Sequence, residues 1–194
     1  MKKIKSYAKV NLFLKVTKQF KNFHKLHSLI VQINLYDEIL IKENSKKKNT
    51  IFFFGKYKAD TRNNTVINLL KLMKKKFSSL RYKNFDIYIK KNIPNGSGLG
   101  GASSNAATVF NFIKRKYKLK ISDKESRKLL AKIGKDCPLF LNQKVKLIKS
   151  SGEKFTEFKD NPKLNMLLIY PNLALSTKRS EEHTSELQSP MYLV

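Results

Sequence analysis

The chain predicts an α+β fold with strands at both ends and helices between them. Three observations carry that expectation. Alternating or β-branched runs sit near both ends of the 194 residues, apolar positions recur at helical spacing in the middle, and one glycine- and serine-rich loop joins a strand directly to a helix. The length suffices for one packed domain rather than two.

Residues 4–17 are apolar and β-branched enough for a first strand. Residues 29–35 and 38–42 give two more, split by the polar pair Tyr36-Asp37, and 51–54 a short fourth after the lysine-rich turn 44–49. Val66, Ile67, Leu69, Leu70, Met73 and Phe77 recur at helical spacing behind Asn63 or Asn64 as a cap. Phe85, Ile87 and Ile89 alternate with polar neighbours, so a strand runs straight into the glycine loop. Beyond it, Ala106, Ala107, Val109, Phe110 and Ile113 mark a second helix, and Ser122-Asp123-Lys124-Glu125 opens a third as a capping box. Pro138 ends that pattern, and residues 145–148, 154–158 and 165–170 read as closing strands.

The net charge of +27 raises nucleic acid as a partner, but 36 of the 41 basic residues are Lys, spread along the chain with no Trp. Arg, whose forks stacked with aromatics are the usual tool of base and phosphate readout, is scarce, and the composition reads as an A/T-rich codon bias. An RNA-binding or ribosome-associated protein stands as the alternative function, separable by the salt slope of RNA binding. Cys137 is the single cysteine, which rules out an internal disulfide and fits a reducing compartment. Lys9, Asn11 and Lys15 interrupt the only apolar run that resembles an export signal, and no stretch approaches a membrane span. A cytoplasmic protein is expected, with no membrane partner.

The loop reads P-N-G-S-G-L-G-G-A-S-S-N from Pro94 to Asn105 and holds four of the chain's seven glycines and three serines. Glycine permits positive φ and close approach of an anion, and the amides of the following helix N-terminus supply donors. Gly96, Gly98 and Gly101 satisfy G-x-G-x-x-G, yet the acidic residue expected about 20 residues on is missing, Asp123 opening a helix instead. No Gly-Lys-Ser/Thr follows, so the loop is not a Walker motif either. It reads as a phosphate cradle.

Asp136, in G-K-D-C-P, is a candidate general base, since a hydroxyl attacking a γ-phosphate needs a positioned carboxylate and a nearby cation. Lys9, inside an apolar strand, is the candidate cation. A turn residue and a lysine on an exposed strand face are the alternatives, and local sequence leaves them open. Phe23-His24 pairs an aromatic face with a polar edge, as a base-binding pocket requires. Cys137 reads as packing, because nothing in the sequence lowers its pKa.

Residues 6–14 (S-Y-A-K-V-N-L-F-L), 23–26 (F-H-K-L), 35–39 (L-Y-D-E-I), 93–108 and 134–140 (G-K-D-C-P-L-F) together resemble the 4-diphosphocytidyl-2-C-methyl-D-erythritol kinase family of the GHMP kinase superfamily, in order and spacing. The resemblance implies the GHMP kinase N-terminal domain over residues 1–178, related to a ribosomal-protein-like α+β domain. It implies ATP-dependent phosphorylation of the 2-hydroxyl of a cytidine-diphosphate-linked methylerythritol in non-mevalonate isoprenoid biosynthesis, with Mg²⁺ screening the phosphates. Asp136 then matches the catalytic base and Lys9 the lysine that orients it. Asn11, Phe23 and His24 match substrate-binding positions. Asn64, Lys91, Pro94, Gly96, Ser97, Gly98, Leu99, Gly100, Gly101, Ala102, Ser103, Ser104 and Asn105 match ATP contacts, and no residue matches a metal ligand.

Two departures stand out. Asn22 replaces the family's Gly before the aromatic-His pair, and Phe23 its usual Tyr. The family also continues into a ferredoxin-like C-terminal domain that these residues do not contain, so the chain is expected to expose apolar surface, dissolve poorly and lack activity alone. From Arg179 onward lysine vanishes and one Arg meets three Glu. Back-translated, R-S-E-E-H-T-S-E-L-Q-S-P resembles read-through of a sequencing-library adapter, and residues 179–194 are expected to be a non-native tail.

Overall fold

A long hairpin dominates the sheet. In the computed structural model, which describes residues 3–20, 23–57, 59, 64–150, 154–160 and 163–170, β1 (Ile4–Phe20) pairs antiparallel with β2 (Phe23–Asn44) along nearly its whole length. The far edge of β2 is shared. Its first half takes β5 (Lys146–Ser150) and its second half β4 (Asn84–Lys91), both antiparallel. β3 (Thr50–Gly55) lies parallel to β4, and β6 (Lys154–Glu157) closes the other side on β5. A parallel pair needs a crossover, and α1 (Thr65–Lys76) supplies it between β3 and β4.

The helices form where the apolar spacing places them. Asn64 caps α1, its Oδ1 accepting from the Val66 and Ile67 amides at 2.8 and 3.3 Å. α2 (Gly101–Lys116) begins where the glycine loop ends. α3 (Asp123–Ala131) opens on a complete capping box, with the Glu125 amide donating to Ser122 Oγ and the Ser122 amide to Glu125 Oε2. Their buried faces, among them Leu69, Met73, Phe110, Ile113 and Leu130, meet Ile39, Ile41, Phe85, Ile87 and Ile89 of the sheet in one core. Burial of each such side chain contributes about 1.5–3 kcal/mol.

Two expectations are corrected. Tyr36-Asp37 does not split β2, which runs through it. The irregularity is a register shift, from Tyr7 opposite Tyr36 to Ala8 opposite Ile33, that leaves Asn34 and Leu35 bulged. Asp37 stays in the strand, fully buried, because donors from elsewhere in the fold satisfy its carboxylate. Residues 165–170 are not a strand. They have β propensity without a ladder to join among the described residues, and Leu167 and Ile169 stand 88% and 80% exposed. Leu12, Phe13 and Leu14 on the hairpin arm are also exposed. The proposed tail and Asn63 lie outside the described residues.

Candidate active site

β4 delivers the chain into the loop, and three glycines turn it. Gly96, Gly98 and Gly100 adopt φ of +69°, +72° and +73°, the left-handed region that side chains disfavour. A Cβ at Gly96 or Gly98 would meet nothing within 4 Å, so that side of the loop is open. At Gly100 it would lie 2.6 Å from Phe140 Cζ. Glycine there lets the loop rest on the ring of Phe140, which belongs to the short 3-10 segment Cys137–Phe140 that Asp136 precedes.

The strand carrying Lys9 is tied to the same loop. The Lys9 amide donates to the Leu99 carbonyl at 3.0 Å, while Leu99 itself packs with Ala8 and Ile93. Lys9 Nζ donates to Asn11 Oδ1 at 3.1 Å and lies 4.0 Å from Asp136 Oδ2. Burial pushes the Lys9 ammonium below the ordinary lysine range, and the Asp136 carboxylate opposes that shift. The Asp136 side chain is 48% exposed against 9% for Lys9, so the carboxylate is open to an incoming group and the cation is held behind it. Residues from three parts of the sequence thus converge at one end of the loop.

Gly100 caps α2 in the left-handed conformation with no side chain to fold back on the helix. The first-turn amides of α2 lie at the positive end of the helix dipole, and that turn contains no acidic residue. An anion fits this arrangement. The serines are otherwise engaged. Ser97 Oγ donates to the Pro94 carbonyl at 2.8 Å, and the hydroxyls of Ser104 and Ser6 share a buried hydrogen bond of 2.8 Å. Ser103 bonds the Cys137 thiol, whose pKa burial raises despite that bond, so Cys137 is packing as expected.

Beside the loop lies a pocket of about 140 Å³ whose lining includes Phe53, Asn64, Lys91, Asn95, Ala102 and Asn105. Thr65 Oγ1 donates to the Ala102 carbonyl at 3.0 Å and joins the start of α1 to that of α2. Four expected nucleotide contacts, Asn64, Lys91, Ala102 and Asn105, are therefore gathered in one place. Lys91 is buried, with its ammonium paired to Asp37, a residue that sequence reasoning passed over. Its signal was an acid inside an otherwise apolar, β-branched run. Phe23 and His24 sit at the far end of the hairpin whose base carries Lys9 and Asn11, their backbones opposite Phe20 and Gln19. Their side chains lie outside the described residues. Among the described residues no three His, Cys, Asp or Glu side chains converge.

Residues 64–142, which span α1 to the Asp136 segment, match the GHMP kinases N terminal domain. The 4-diphosphocytidyl-2-C-methyl-D-erythritol kinase of Pelagibacter ubique is 36% identical over 191 residues, covering 98% of this chain and 67% of its own length. The enzyme of that name from Francisella tularensis subsp. novicida is 36% identical over 180 residues, covering 91% of this chain and 64% of its own. The chain thus spans about two thirds of these relatives. A crystal structure of 4-(cytidine 5'-diphospho)-2C-methyl-D-erythritol kinase superposes with a TM-score of 0.67 at 26% identity, over 81% of this chain and 55% of that one. A mevalonate kinase shares the fold, with a TM-score of 0.63 at 17% identity over 82% of this chain and 56% of its own. On this fold, this loop and these relatives, the chain belongs to the 4-diphosphocytidyl-2-C-methyl-D-erythritol kinase family of GHMP kinases.

Proposed function

We propose that residues 1–178 form the nucleotide-binding domain of an enzyme that transfers the γ-phosphoryl group of ATP to the 2-hydroxyl of 4-diphosphocytidyl-2-C-methyl-D-erythritol. The observation that carries this reading is the meeting of Lys9 and Asp136 at the glycine loop, beside the first turn of α2. Phosphoryl transfer asks a protein for positioning and electrostatic stabilisation more than for covalent chemistry. The loop and helix amides hold the phosphates. Asp136 accepts the proton of the attacking hydroxyl, and Lys9 holds that carboxylate in place. A Mg²⁺ arriving with the nucleotide would supply further screening of the phosphate charge. Asn11 borders the transfer point, and Phe23 and His24 read the cytosine. The alternative of an RNA-binding protein gives Lys9, Asp136 and the loop no role, and the relatives above are kinases. No helix among the described residues is long and apolar enough to cross a membrane, and the reading places the reaction in the cytoplasm.

The test is a chimera that continues residues 1–178 into the last third of the Pelagibacter ubique relative. With ATP it is expected to form the 2-phosphate of the cytidine-linked substrate, seen by mass spectrometry. ATP binding without any such product discards the acceptor, and absence of ATP binding discards the kinase reading altogether.

Lys9 also sets a pH limit. Its folded-state pKa is lowered, so the ammonium loses its proton at a lower pH than a free lysine, whose value is 10.5. The alkaline limb of kcat/KM is therefore expected below that value. In Lys9→Arg, whose guanidinium stays charged, the limb moves upward. A limb unchanged by the arginine would assign it to another group.

A further inference from the structure

Asp37 is a buried carboxylate to which the chemistry above gives no task. Two of its partners, Lys91 and Asn105, line the pocket beside the loop, and the other two lead the chain into the loop. Oδ1 accepts from the amides of Asn92 and Ile93, at 2.7 and 2.9 Å, the two residues that lead from β4 into the loop. Oδ2 takes the Lys91 ammonium and, at 3.1 Å, the side-chain amide nitrogen of Asn105. One carboxylate on β2 therefore grips the entry of the loop and the helix that leaves it. It also sets the orientation of Asn105: a carboxylate only accepts, so Asn105 must turn its nitrogen toward Asp37. Its oxygen is left facing elsewhere, buried and without a hydrogen-bond partner among the described residues, on a side chain that lines the 140 Å³ pocket with Lys91.

We propose that Asp37 is the positioning residue of the nucleotide site, holding the loop entry and the Asn105 carboxamide in the arrangement that receives ATP. This rests on the kinase reading for the identity of the ligand, but the anchoring itself does not. Leu99 and Ala102 are tied within the loop and at the helix start by the Lys9 amide and Thr65 Oγ1, while the Asn92 and Ile93 amides that open the loop are held by this carboxylate. A loop with three residues at positive φ needs its ends fixed if its amides are to stay convergent.

The experiment uses the full chain and two readouts, hydrogen exchange of individual amides and ATP affinity by calorimetry. In Asp37→Ala the Asn92 and Ile93 amides are expected to exchange at least about tenfold faster than in the parent, while those of α1 and α3 stay within about threefold. ATP affinity falls by at least about tenfold. Lys91→Met keeps the carboxylate and is expected to keep both amides protected, which separates the anchor from the ion pair. Should Asp37→Ala fail to fold with Lys91 unpaired, Asp37→Leu/Lys91→Met removes both charges, a replacement that buried pairs often tolerate. The same two amides are then read. Parent-like exchange at Asn92 and Ile93 overturns the proposal. Faster exchange with ATP affinity no weaker than that of Lys91→Met overturns its nucleotide part. If the parent itself does not bind ATP, affinities are read in the kinase chimera; absence of ATP binding there means that the kinase reading has failed, and the exchange data alone decide whether Asp37 is the anchor.

Discussion

Asp136→Ala in the kinase chimera is expected to lower kcat by about 10²- to 10⁴-fold, the usual contribution of a positioned general base. ATP affinity and melting temperature should hardly move. The carboxylate is half exposed, caps no helix through its side chain and lies outside the loop, so its removal leaves the cradle standing. Asp136→Asn keeps the shape and loses the proton acceptor, and it is expected to match the alanine in turnover. Removing the acid also takes away the one charge that raises the Lys9 pKa, so any residual activity should fade at a lower pH than in the parent. Near-normal turnover in either variant would remove Asp136 from the base role and leave the site as a nucleotide holder only.

Gly100→Ala carries the largest expected effect on the fold around the site. The position combines a φ of +73° with a Cβ 2.6 Å from one ring carbon of Phe140 and 3.0 Å from another. Phe140 is buried, so the ring cannot swing into solvent. Left-handed strain and overpacking together cost about 2–4 kcal/mol, a fall of roughly 5–15 °C in melting temperature. Because Phe140 ends the short 3-10 segment that Asp136 precedes, the same push displaces the carboxylate, and ATP affinity and turnover should fall together. Gly96→Ala is the control. Its φ of +69° brings similar strain, about 1–2 kcal/mol, but its methyl meets no atom. Equal thermal losses for the two variants, measured by calorimetry, would show that backbone strain alone governs the loop.

What could be read from the sequence was what rests on neighbours in the chain. The capping box at Ser122 and Glu125, the Asn64 cap and the helical spacing after the loop each depend on residues within four or so positions. The strand–loop–helix order around Gly96 to Gly101 belongs with them. Lys9 and Asp136 were legible as candidates, yet their 4.0 Å approach is a property of the sheet and not of either motif. Asp37 was misread for the same reason. A polar residue within an apolar run signals a break by local rules, and its partners lie 54 to 68 residues further on. Residues 165–170 failed in the opposite sense, since strand propensity means little without a strand to pair with. Ser97, Ser103 and Ser104 match ATP contacts by resemblance, but each engages another group in the protein, and no local pattern announces that.

The bond from the Lys9 amide to the Leu99 carbonyl is made by main chain on both sides. Any residue but proline can make it, so this one tie between strand and loop does not depend on the side chain at position 9. Mutational work rarely enjoys such a separation. Exchanging Lys9 for methionine, which keeps an unbranched stem, subtracts a cation and little else, whereas proline at the same position cuts the strand from the loop and keeps no record of the chemistry. Exchanges at this buried position that keep an unbranched stem of similar length can thus be interpreted as variation in charge.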